Sequence, residues 1–239
     1  MKKVLIVNIA IAMVCAAQLV ANTITPTGGP NGYGPWQTGR GGEFTLAPDA
    51  QLASALGPYS SLTRDWVQQG TFQSFCIEVD EHISGNTTYN VNFSDHSVFG
   101  NVTLNKGTAW LYEQFARGIL TGYDYGSTIP ARHASAAALQ NEIWLLMGQG
   151  GSGDAYFGSL VAAAATAGGW NVNDANNGQF QVEVLNVWSG AVGTGKAQDM
   201  LVMVPDAGAT VTLLSMGFGC VTFLARKRRD EAKAAQQIS

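Results

Sequence analysis

The sequence predicts an α+β fold: a β-sandwich or barrel-like core with an inserted helical subdomain, flanked by a signal peptide and a C-terminal transmembrane helix. Three observations carry that prediction. Apolar and polar residues alternate at 71–83, 87–93, 180–187 and 197–204, the period of a half-buried strand. Between the second and third of these, apolar residues recur at helical spacing over 108–120, 133–147 and 154–167. Both chain ends carry apolar runs next to basic residues.

Taken in order, residues 22–42 are rich in Gly, Pro and Thr and read as a mostly irregular entry segment. Residues 43–46 suit a short strand, and 51–67 hold Leu52, Leu56 and Leu62 without a clear period. In 71–83, Phe75, Ile77 and Val79 alternate with Cys76, Glu78 and Asp80. In 87–93, Tyr89, Val91 and Phe93 share one parity. Gly85-Asn86 between these segments marks a tight turn, which predicts a hairpin. The first helix carries Trp110, Leu111, Phe115 and Ile119, with Thr108 as N-cap and Gly122 past its end. The second places Ala136, Leu139, Ile143, Trp144 and Met147 on one face and stops at Gly148. The third stops at Gly168-Gly169, and an Asn/Gly loop leads back to strands.

The ends are addresses rather than fold. Lys2 and Lys3 precede an apolar stretch over 4–17 with small residues after it, the order of a signal peptide over 1–21. At the other end, Val204-Pro205-Asp206-Ala207-Gly208 precedes an uncharged run over 209–225 and the cluster Arg226-Lys227-Arg228-Arg229. Seventeen helical residues reach about 25 Å, close to the roughly 30 Å hydrocarbon core, and the basic cluster keeps its end cytoplasmic. This tail resembles the PEP-CTERM class of bacterial sorting signals in its VPDSG variant, with Ala207 where that variant has Ser. The resemblance covers residues 204–229. It implies an exosortase-type membrane protease as partner, cutting near the motif. The precursor is then anchored in the inner membrane through 209–225, with 230–239 a cytoplasmic tail, and the mature protein is at the cell surface or extracellular.

The 22–203 body is left as one exported domain. Residues 22–204 hold six basic residues against fourteen acidic ones, a net charge of −8. Such a body repels phosphate backbones, so the charge argues against nucleic acid as a partner. Of three cysteines, Cys15 lies in the signal peptide and Cys220 in the membrane segment, so Cys76 is unmatched in the body. Cysteines of exported proteins usually pair, which makes this one a candidate reactive thiol or a small buried hydrophobe.

Two segments carry chemistry. In Ser74-Phe75-Cys76-Ile77-Glu78-Val79-Asp80, alternation puts Cys76 with Glu78 and Asp80, opposite the apolar set. In Ala138-Leu139-Gln140-Asn141-Glu142-Ile143-Trp144, Gln140 borders the apolar face of its helix. Together they resemble the thioester domains of bacterial surface adhesins, with Cys76 at the family's cysteine, Gln140 at its glutamine, and Ile143 and Trp144 as the trailing apolar pair. Glu142 departs from the pattern, standing where the family has a small residue. The resemblance implies a Cys76–Gln140 thioester supported by Phe75, Glu78, His82 and Trp144, with Glu78, Asp80 or His82 taking the thiol proton and no cofactor required.

Other constellations are weaker. Glu78, Asp80, Glu81 and His82 read as a solvated strand edge before a cation site, and residues 171–177 lack the spacing of a calcium loop. No short hydrolase or phosphate-binding motif is present. The expected function is that of a non-enzymatic structural or adhesion protein of the surface or matrix, with extracellular polysaccharide or surface matrix as partner. The alternatives are a carbohydrate-active or other secreted hydrolase and a non-covalent carbohydrate- or matrix-binding module.

Overall fold

The computed structural model describes residues 22–37, 41–61, 69–126 and 129–205. The signal peptide, Asp206, Gly208, the 209–225 run and the Arg226, Lys227, Arg228 and Arg229 cluster lie outside the described residues. Among the described residues, no helix is long and apolar enough to cross a membrane.

Six strands form one antiparallel sheet: β1 (Asn22–Pro26), β2 (Phe44–Pro48), β3 (Phe72–Ser74), β4 (Tyr89–Ser94), β5 (Val182–Trp188) and β6 (Met200–Met203). Their order is β3-β2-β1-β4-β5-β6. The two edges then approach each other. Leu201 N–H donates to the Phe75 carbonyl at 3.0 Å, Ile77 N–H donates to the Asp199 carbonyl at 3.1 Å, and Cys76 bridges Met200. Segment 75–77, just past β3, thereby nearly closes the sheet into a barrel-like form. Closure leaves fewer unpaired edge groups and gives the sheet an enclosed face.

Three of the four helices enter between β4 and β5, as the periodicity predicts. They are α2 (Lys106–Arg117), α3 (Ile129–Leu146) and α4 (Ala155–Gly168), while α1 (Ala50–Leu56) follows β2 and runs into a 3-10 turn at Gly57–Ser61. The caps explain the boundaries. Asn105 Oδ1 accepts from Thr108 N–H at 2.8 Å, so the cap of α2 lies three residues before the expected Thr108. Gly118, at φ 67° and left-handed, ends it before Gly122. Asp154 caps α4 through the N–H groups of Tyr156 and Phe157, and Gly169 terminates it in the left-handed region.

Two expectations fail. The Gly85-Asn86 turn does not join a hairpin, because β4 pairs with β1 and β5, and β3 pairs with β2. Within the entry segment 22–42, β1 is laid between β2 and β4, and the rest of its described residues are irregular, as expected, apart from the Gln37–Gly42 bridge. Its buried Ile24 supplies the apolar anchor, and Asp49 reaches back to the Thr23 N–H at 2.7 Å. The long 71–83 strand is also cut to Phe72–Ser74 plus the closing segment.

The apolar interior divides into two clusters on either side of that segment. Phe75 and Ile77 join the helices' side with Leu111, Phe115, Leu139 and Ile143. Cys76 joins Phe44, Leu46, Leu185 and Met200. The predicted alternation is present, but both parities are buried, and Glu78 is buried with them. Burial of such side chains contributes roughly 1.5–3 kcal/mol each before conformational entropy is charged against it.

Candidate functional site

Cys76 and Gln140 meet. Antiparallel pairing at Cys76 and Met200 is of the non-hydrogen-bonded kind, because the flanking Phe75 and Ile77 make the bonds to β6. The Cys76 carbonyl therefore turns away from β6, toward α3. There it accepts from Gln140 Nε2 at 2.6 Å. The Cys76 thiol in turn lies 3.3 Å from Gln140 Oε1. Both residues are buried, Cys76 at 0% and Gln140 at 1% exposure, so water does not compete for the pair. Cys76 is a free thiol in this geometry.

A third group completes the contact. Gly42 N–H donates to Gln140 Oε1 at 3.1 Å. The three contacts fix the orientation of the side-chain amide, since the oxygen must face the N–H and the nitrogen must face the carbonyl. Approach this close depends on glycine. Gly41 and Gly42 have φ of 128° and 102°, a left-handed region that L side chains disfavour. A Cβ on Gly41 would stand 2.8 Å from Gln140 Cγ and 2.8 Å from Trp144 Cη2. The Gly41-Gly42 dipeptide is the part of the site that sequence reasoning missed. Paired glycines immediately before a short strand were the available signal.

Gln140 sits on α3, the helix that also anchors Glu43, the residue that follows the Gly41-Gly42 strap. Arg132, Ala136 and Gln140 recur every four residues along α3 and are all buried, so they form one stripe. Arg132 Nε and Nη2 donate to Glu43 at 3.0 and 2.6 Å, and Tyr123 Oη donates to Glu43 Oε2 at 2.6 Å. The Arg132 guanidinium also stacks over the Trp36 ring at 4.6 Å. Residues 42 and 43 are thus fastened to α3 side by side, one through a neutral amide and one through an ion pair.

The predicted supporting residues separate. Trp144 lies against Gly41 at the edge of the pair. Its indole N–H favours the Cys76 thiolate but makes no hydrogen bond of ordinary geometry. Phe75 points to the opposite cluster, where it meets Phe115 edge-to-face at 4.8 Å. Glu78 is two residues from Cys76, yet its carboxylate accepts from Phe99 N–H at 3.0 Å and Asp199 N–H at 3.1 Å. Asp80 and His82 are exposed. They line a cavity of about 710 Å³ with Tyr33, Gly41, Phe44 and Trp144, so Gly41 and Trp144 stand between that cavity and the Cys76–Gln140 contact. Glu142, the departure from the family pattern, turns to the start of α4, where its Oε2 accepts from Asp154 N–H at 2.7 Å.

Electrostatics keep the sulfur protonated. Burial pushes the Cys76 thiol far above its usual range; the Trp144 N–H and the Cys76 backbone oppose this, and the Glu78 charge adds to it. Glu78 is itself pushed up to about 7 by burial and by Asp199. Asp199 is pushed up to about 6, chiefly by burial. Among the described residues, no group of three His, Cys, Asp or Glu is placed to hold a metal ion. Val204 continues from β6 with its N–H on the Gln181 carbonyl at 3.0 Å, and Pro205 is the last described residue. Comparison of the chain with family models, with curated proteins and with solved structures returns no match.

Proposed function

We propose that this is an exported surface or matrix protein, sorted by an exosortase-type protease, whose body forms an internal Cys76–Gln140 thioester for covalent attachment. The observation that carries the reading is the buried approach of the Cys76 sulfur to Gln140 Oε1, at 3.3 Å. In the reaction, Sγ bonds to the Gln140 side-chain carbonyl carbon, the bond from that carbon to Nε2 breaks, and the thiol proton leaves on nitrogen as ammonia. Because burial disfavours the thiolate, proton loss and sulfur attack have to be coupled. The product is an electrophile kept from water until an amine on another surface reaches it. That amine would form an amide with the Gln140 side chain and return Cys76 to the thiol. The cavity of about 710 Å³ behind Gly41 and Trp144 offers an approach.

Intact mass of the folded chain tests this. One ammonia less than the sequence mass is expected, with covalent addition of methylamine. Cys76→Ala and Gln140→Ala should each abolish both. Folded protein of full mass with an alkylatable Cys76 would sink the proposal.

A second reading attaches to another cleft of about 740 Å³. Its walls include Phe93, Phe180, Asp95, Glu113 and Glu183. Burial and the Asp95 charge raise the pKa of Glu183, a combination that suits a saccharide-binding or glycan-cleaving site. Glycan hydrolysis or binding that survives Cys76→Ala and is lost in Glu183→Gln would favour it.

A further inference from the structure

The Gln140 amide is held at both ends by main chain. Gly42 N–H points at its oxygen from 3.1 Å, and the Cys76 carbonyl receives its nitrogen at 2.6 Å. Among the described residues, no ionised side chain is bonded to this amide or to the Cys76 thiol. The nearest acid in sequence, Glu78, is occupied by the N–H groups of Phe99 and Asp199. Acyl transfer here therefore has no bonded acid or base to assist it, and the forming charge has to be met by the fixed dipoles that are present.

We propose, resting on the thioester reading above, that the Gly42 backbone N–H is the oxyanion donor of this acyl transfer and that the Cys76 carbonyl steers the departing ammonia. As Sγ bonds to the side-chain carbon, the carbonyl π pair moves onto Oε1, which becomes the negative oxygen of a tetrahedral intermediate. Gly42 N–H is already directed at that atom, between buried residues, where a fixed donor has its largest effect. The intermediate collapses by expelling nitrogen with its bonding pair. That nitrogen takes the thiol proton and leaves as ammonia beside the Cys76 carbonyl. The same donor serves the second half. When an amine adds to the thioester, charge returns to the same oxygen, the carbon–sulfur bond breaks, and the sulfur regains a proton from the incoming amine.

The local backbone is built for this placement. Positive φ at Gly41 and Gly42 aims the residue-42 N–H at α3, and any side chain at 41 would displace Gln140 Cγ. A purely structural capping bond would also hold Gln140, so the test reads the carbonyl itself.

The full chain is prepared with glycolic acid in place of Gly42, an amide-to-ester change that deletes the N–H and retains the shape. Ammonia loss on refolding is followed by intact mass against the wild type. The thioester carbonyl stretch is recorded in both with a 13C label in the Gln140 side chain. Formation roughly a hundredfold or more slower is expected in the ester form, in the range for loss of one oxyanion donor. The wild-type stretch is expected at lower frequency than that of the ester form. Equal rates and equal frequencies in a wild type that does form the thioester overturn the Gly42 assignment alone. A folded wild type of full sequence mass overturns both it and the thioester. Should the ester form not fold, the wild-type stretch decides: a frequency equal to that of an unbonded alkyl thioester overturns the proposal.

Discussion

Glu43 and Glu78 are both buried carboxylates next to the Cys76–Gln140 contact, and they are neutralised in opposite ways. At Glu43 the partner is a cation: Arg132 bonds both oxygens, and Tyr123 adds a hydroxyl. At Glu78 the partners are two backbone N–H groups, and the nearest strong electrostatic influence is another acid, Asp199. Burial is the largest influence on each and raises both pKa values. Only at Glu43 does a full positive charge pull back. The difference teaches that the strap over Gln140 is anchored by a carboxylate with its own counter-charge, although burial raises the pKa of that carboxylate too. The seam that carries Cys76 borders one that titrates.

Removing the cation tests the first half most severely. Arg132→Met leaves Glu43 buried without a counter-charge, and a loss of about 3–5 kcal/mol is expected in urea unfolding. Adding Glu43→Leu should recover part of it, because the cost comes from the orphaned charge and not from the absence of a bridge. An Arg132→Met chain as stable as the wild type would remove the contrast.

Tyr123→Phe trims the same site without unbalancing it. One hydrogen bond to a charged group is lost from a buried position, with an expected cost of about 1.5–3 kcal/mol. Urea midpoints for Tyr123→Phe and Arg132→Met should fall in that order of severity.

The Glu78 half is a matter of slope. A raised folded pKa contributes stability that is fully present below the unfolded value and lost as pH rises through the folded one. For Glu78 the loss runs from its ordinary value of 4.5 through about 7. For Asp199 it runs from 3.8 through about 6. The chain should therefore lose stability from this pair between pH 4 and pH 8. Glu78→Gln should flatten the part centred nearer neutrality and leave the Asp199 part. Because Gln offers one acceptor oxygen where Glu78 offers two, the slope is the readout and not the stability at a single pH. Thermal unfolding across that range gives it, and an unchanged slope would mean Glu78 does not titrate there.

Much of this was legible locally and some was not. The three inserted helices announce themselves because one buried face repeats every three or four residues and glycines stop them. Cys76 was legible as the unmatched cysteine of the body, and Gln140 as a polar residue bordering the apolar face of its helix. Phe75 and Glu78 misled, because parity in a strand states which side a residue faces and not what fills that side. Here both sides are interior. The expected hairpin failed for a related reason: Gly85-Asn86 describes a turn, but pairing partners are chosen over the whole chain. Nothing within 71–93 signals that β1 claims one edge of β4. The Gly41-Gly42 pair was visible before a short strand, but its reason for existing, close approach to Gln140, lies about a hundred residues away.

The β5–β6 register has a mechanical consequence. Val182 opens β5 opposite Met203, which closes β6. Chain leading back to Gln140 and chain leading forward to Pro205 thus leave the hairpin at the same end. A pull applied between Gln140 and the stretch beyond Pro205 opens these rungs one after another instead of shearing them together, which is the compliant direction. What resists first is the Val204 bond to Gln181, then the seam at Leu201 and Phe75. A Cys76–Gln140 crosslink would tie α3 directly to that seam and bypass the hairpin. Its release on capture of an amine would turn a stiff link into a yielding one.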